Sequence, residues 1–61
     1  MNSVVIIEDH EIMRTGLSAL LEDRWKISGE AGSLEEATTL FSGLAEKPDL
    51  VLLDIELGKE W

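Results

Sequence analysis

The sequence predicts an α/β fold, a βαβαβ chain wound into a parallel sheet. Three observations predict it. Short apolar runs recur at 3–7, 25–31 and 49–54. Between them, apolar residues fall at helical spacing over 11–24 and 34–46. A capping signal opens the second helical segment, and Pro48 prevents its continuation.

The first strand, residues 3–7, carries Val4-Val5-Ile6-Ile7. An unbroken β-branched run of this length suits a parallel strand covered on both faces. Glu8-Asp9-His10 ends it with polar residues. The helix over 11–24 places Met13, Leu17, Leu20 and Leu21 on one stripe. Asp9 or His10 lies at its cap position, and Glu11 favours its first turn through the helix dipole. Gly16 weakens the helix interior, so a close packing contact is expected there. In the strand over 25–31, Trp25, Ile27 and Gly29 alternate with Lys26, Ser28 and Glu30, as at a sheet edge with one wetter face. Ser33 and Glu36 form a capping box for the second helix, whose stripe is Leu34, Ala37, Leu40, Phe41 and Leu44. The third strand, 49–54, carries Leu50-Val51-Leu52-Leu53, which reads as a fully buried run ending in Asp54.

Composition narrows the chemistry. The 61 residues hold at most one domain, and a chain this short buries a marginal core. It has no Cys and a single His, so neither a disulfide nor a structural zinc site braces it. Thirteen acidic against five basic residues give a formal net charge of -8. Such a surface repels phosphate backbones, so direct nucleic-acid binding by this segment is not expected, nor is binding to an anionic membrane. No apolar run approaches the length of a membrane span or has the form of a signal peptide. Both features, like the absence of Cys, point to a cytoplasmic protein.

In the doubly wound arrangement the first strand lies between the second and third. The carboxyl ends of strands one and three then open a crevice at a topological switch point. Glu8 and Asp9 follow the first strand, and Asp54 ends the third. Three carboxylates converging there repel one another, so the site either takes up a proton or holds a cation. Mg²⁺ suits oxygen ligands and keeps positions for water and phosphate. A carboxylate beside Mg²⁺ can attack a phosphoryl group.

These residues resemble the response-regulator receiver family, whose fold is flavodoxin-like. The resemblance runs through the apolar first strand, Glu8-Asp9, His10-Glu11-Ile12-Met13-Arg14-Thr15-Gly16-Leu17, Gly29-Glu30-Ala31 and Pro48-Asp49-Leu50-Val51-Leu52-Leu53-Asp54. Glu8-Asp9-His10 followed by Arg14-x-Gly16-Leu17 is most similar to members with a helix-turn-helix output domain. The resemblance implies that Asp54 is the phosphoacceptor, taking its phosphoryl group from a histidine kinase. It implies Mg²⁺ held by Asp9, Asp54 and the main-chain carbonyl of Glu56, with Glu8 orienting metal-bound water. It implies a signalling acceptor that regulates transcription, not an enzyme. Two departures stand out. Glu56-Leu57-Gly58-Lys59 replaces the family's usual proline after the acceptor. The chain also corresponds to the N-terminal half of the family's fold, so the hydroxyl residue and the Lys that bind the phosphoryl group have no counterpart, and Lys59 does not match that Lys.

Other readings stay open. Asp54 could simply cap a turn, Asp9 could cap the helix and Glu8 could be a solvated carboxylate. His10 reads as a cap or surface residue rather than a ligand. A haloacid-dehalogenase-type phosphohydrolase also uses an Asp after a buried strand, but it needs a second Asp where Glu56 stands, and its strand comes first. A truncated or engineered half-domain that only self-associates is a third reading. On either of the half-domain readings the outer edge of the third strand is bare, and a homodimer paired through it is expected.

Overall fold

The computed structural model describes residues 2–54. Five elements follow in the expected order: β1 (Ser3–Glu8), α1 (Glu11–Leu21), β2 (Lys26–Ala31), α2 (Leu34–Gly43) and β3 (Leu50–Asp54). All strand pairing is parallel, and the sheet order is β2-β1-β3. The crossovers from β1 to β2 and from β2 to β3 run in opposite directions across the sheet. Right-handed connections therefore set α1 and α2 on opposite faces. This is the βαβαβ half of a flavodoxin-like fold.

β1 is the centre of the core. Val4, Val5 and Ile6 are fully buried and Ile7 nearly so, as an apolar run flanked on both edges and both faces should be. Val5 and Ile7 pack with Ala31 and Ala37, and with the half-buried Leu40 and Leu44. The sheet register is irregular at one point. Val4 pairs with Ile27, but Val5 pairs with Gly29, so Ser28 is bulged out of β2. The bulge breaks the alternation read from the sequence and sends Ile27 and Gly29 to opposite faces. Gly29 then lies under α2, where a Cβ would stand 2.6 Å from Leu40 Cδ1.

The helices are shorter than their apolar spacing predicts. α1 ends at Leu21, not at 24, because the amides of Arg24 and Trp25 both turn back to the Leu21 carbonyl. α2 ends at Gly43, not at 46, and Leu44 is already extended. β1 extends one residue further, to Glu8, while β2 and β3 begin one residue later than expected, at Lys26 and Leu50. The Ser33 hydroxyl accepts from the Glu36 amide, as a cap should. The Glu36 carboxylate reaches past the cap to the amide of Gly32, at 2.8 Å.

Three expectations about burial fail. The run Leu50 to Leu53 is not buried: among the described residues β3 is an edge strand, and Leu53 is 62% exposed. The α1 stripe is split. Leu17 and Leu21 face the sheet, whereas Met13 and Leu20 are exposed together with Ile12. Gly16 lies on that same open face and has no atom within 4 Å of a built Cβ, so the anticipated close contact is absent among the described residues. On α2, Leu34 and Phe41 are likewise exposed, while Ala37 is buried.

Candidate functional site

The site forms where β1 and β3 end together. The register runs without interruption from Val4↔Leu50 to Glu8↔Asp54, which makes Glu8 and Asp54 direct neighbours. Asp49 sets that register from the far end. Its carboxylate accepts from the Ser3 amide at 2.7 Å, and its own amide donates to the Ser3 carbonyl at 3.0 Å. Asp9 follows Glu8 in the bend between β1 and α1.

Glu8 is 1% exposed, which excludes a freely solvated carboxylate. One of its oxygens, Oε1, accepts from the His10 amide at 3.0 Å and lies 2.8 Å from His10 Nδ1. The other, Oε2, is buried with no hydrogen-bond partner among the described residues. His10 Nδ1 is also 3.1 Å from an Asp9 oxygen. His10 occupies the N-cap position of α1, but its side chain makes no capping bond there. Its ring turns instead towards the two carboxylates, which sequence spacing alone did not indicate.

The electrostatics follow from this packing. The His10 amide and ring hold the Glu8 carboxyl below its usual range, against the effect of burial. The Asp54 carboxyl is pushed up, first by sharing a hydrogen bond with Glu8, then by the charge on Glu8 and by desolvation. Carboxylates packed this closely repel one another, and a cation between them would offset that repulsion.

The donor set fits Mg²⁺. Glu8, Asp9 and His10 each place a ligand-type atom within 4.8 Å of the others, one Glu8 oxygen is buried and unpartnered among the described residues, and Asp54, which is not one of that group, is the register partner of Glu8. Oxygen atoms predominate, as a hard divalent ion requires. Glu56, expected to offer its carbonyl, lies outside the described residues, as do Leu57, Gly58 and Lys59.

A parallel βαβαβ sheet in the order 2-1-3, with carboxylates at the β1 and β3 ends, is half of a flavodoxin-like α/β domain with an acidic crevice at its topological switch point. The chain belongs to the response regulator receiver domain family, whose profile matches residues 4–61. It is 40% identical over 57 residues to the transcriptional regulatory protein YdfI of Bacillus subtilis, covering 90% of this chain and 26% of that protein. It is 39% identical over 59 residues to the DNA-binding transcriptional activator DevR/DosR of Mycobacterium tuberculosis, covering 93% and 26%. It is 36% identical over 59 residues to the response regulator GacA of Pseudomonas syringae pv. syringae, covering 93% and 27%. The chain thus spans about a quarter of the length of these relatives. No solved structure matches it significantly. Family membership makes it a segment of a two-component response regulator, and receiver domains bind Mg²⁺. Among the described residues no helix is long and apolar enough to cross a membrane.

Proposed function

We propose that Asp54 is the phosphoacceptor of this receiver and, in the cytoplasm, takes its phosphoryl group from a histidine kinase. The observation that carries the reading is the pairing of Asp54 with Glu8 at the strand ends, beside Asp9. An Asp54 carboxylate oxygen forms the bond to phosphorus as the bond from phosphorus to the kinase histidine nitrogen breaks. Asp9, Asp54 and the Glu56 carbonyl would hold Mg²⁺, which would supply charge neutralisation for the transfer. Glu8, held by the His10 amide and ring, would orient water on that ion. In the whole protein the modified receiver regulates transcription through a separate helix-turn-helix domain, consistent with the names of the relatives. The acidic receiver segment itself does not touch nucleic acid.

The test is labelling of the whole protein with acetyl phosphate and Mg²⁺, followed by peptide mapping. Asp54 carries the label, and Asp54→Asn removes it. A label on any other residue, or undiminished labelling of Asp54→Asn, overturns the assignment.

When the 61 residues are expressed alone, we propose that a second copy covers β3. Its exposed apolar residues Leu50, Val51 and Leu53 and its unpaired outer edge support this. Light scattering at micromolar concentration reads the mass, and a monomer refutes it.

A further inference from the structure

Arg14 stands out among the α1 residues because its side chain leaves the helix for the strand ends. Its Nη1 donates to the Glu8 main-chain carbonyl at 2.9 Å, and its Nε lies 3.8 Å from Glu30 Oε1 on β2. The guanidinium is well covered, with the Arg14 side chain 22% exposed. One arginine thus ties α1 to the carboxyl ends of both β1 and β2.

Gly32 makes room for it. A Cβ on Gly32 would stand 2.7 Å from Arg14 Nη1 and 3.4 Å from Glu36 Oε1. The Gly32 backbone is not in the left-handed region, so its conformation does not demand glycine. What excludes a side chain there is the guanidinium. Glu36 fixes the Gly32 amide from the other side.

We infer that Arg14, seated by Gly32, is a positioning residue for the Mg²⁺ site. The inference rests on the Mg²⁺ reading of the crevice above. The carbonyl that Arg14 holds belongs to the peptide joining Glu8 to Asp9. Fixing that peptide plane fixes the direction in which Asp9 leaves β1, and with it the separation of Asp9 from Glu8 and Asp54. Lysine cannot replace the arrangement, because a single ammonium lacks the fork that meets Glu8 and Glu30 together. Groups that hold ligands in this indirect way typically change metal affinity about 10–100-fold when removed.

The experiment measures the Mg²⁺ dissociation constant of the whole protein by calorimetry, with urea unfolding in parallel. Arg14→Lys and Gly32→Ala each weaken Mg²⁺ binding roughly 10-fold. Gly32→Ala does so at little cost in stability, because the atom it displaces is the far end of a flexible side chain. In an Arg14→Ala background, Gly32→Ala adds nothing further, since there is no guanidinium left to displace. Unchanged Mg²⁺ affinity in folded Arg14→Lys and Gly32→Ala overturns the clamp while leaving the Mg²⁺ site standing. Additive effects of Arg14→Ala and Gly32→Ala also overturn it. Failure of the folded wild-type protein to bind Mg²⁺ overturns the site and the clamp together.

Discussion

Asp49 lies at the opposite end of the sheet from the acidic crevice, yet it holds the register that builds it. Its carboxylate takes the Ser3 amide at 2.7 Å and the Ser3 hydroxyl at 3.3 Å. Asp49→Ala removes both bonds and leaves the backbone bond from the Asp49 amide to the Ser3 carbonyl intact. A hydrogen bond to a charged group contributes about 1.5–3 kcal/mol, but this one is exposed and water replaces it in part, which brings the expected loss to about 1 kcal/mol. With a urea slope of about 1–3 kcal/mol per molar, the unfolding midpoint falls by about 0.3–1 M with the slope unchanged. Asp49→Asn keeps a neutral acceptor and loses about half as much. Ser3→Ala removes only the hydroxyl bonds and changes least of the three. Urea denaturation followed by far-ultraviolet circular dichroism gives the order. A midpoint for Asp49→Ala equal to that of wild type, or equal losses for Asp49→Ala and Asp49→Asn, would refute the account of the Ser3–Asp49 staple.

Ile6→Ala empties a fully buried position on the central strand and costs about 2–5 kcal/mol, read from the same denaturation curves; a loss below about 1 kcal/mol would show that the core closes over the gap. Gly29→Ala drives a methyl against Leu40 and destabilises by about 1–3 kcal/mol, and a Leu40→Ala background absorbs most of that penalty; equal penalties in both backgrounds would remove Leu40 as the cause. Glu8→Gln takes away the main causes that raise the Asp54 carboxyl, so Asp54, followed by carboxyl carbon shifts, titrates at lower pH than in wild type; an unmoved titration contradicts the pairing. Because the raised Asp54 group holds its proton more tightly when folded, its contribution to stability is present in acid and is lost as pH rises through its folded value. The lowered Glu8 group has the opposite slope, losing its contribution as pH falls through its own folded value. Protons and Mg²⁺ compete for the crevice, so Mg²⁺ affinity declines as pH falls through the raised range of Asp54, and a pH-independent affinity would argue against Asp54 as a ligand.

What the sequence conveyed best was carried by long-range periodicity. Val4 to Ile7 could satisfy an unbroken apolar run only at the sheet centre, and β1 is there. The pairing of Glu8 with Asp54 followed from strand order alone, because residues that end neighbouring parallel strands are carried to the same edge whatever lies between. Burial was less legible. An apolar run such as Leu50 to Leu53 states what a strand can bury, not whether a neighbour is present to bury it, and β3 stands at an edge among the described residues. The same holds for Ile12, Met13 and Leu20 on α1.

The three contacts that sequence reading did not indicate share one property: each has a main-chain group on one side of the bond. Arg14 binds the Glu8 carbonyl, His10 donates its own amide to Glu8 and Asp49 accepts from the Ser3 amide. A backbone partner leaves no mark in residue type, so no spacing rule finds it. Gly32 is the partial exception. A glycine directly before a capping serine, on a chain whose first helix offers an arginine within reach of the same strand ends, is a composition signal for a guanidinium that needs room. These backbone bonds act on the acidic crevice from three sides. Asp49 fixes how far β3 advances, His10 fixes the rotation of Glu8, and Arg14 fixes the peptide from which Asp9 departs. A site of like charges tends to splay apart, so the fold has to hold each carboxylate in place by a group that does not neutralise it. Amides and a carbonyl meet that requirement, because they anchor geometry and leave the negative charge of Glu8, Asp9 and Asp54 available to a cation.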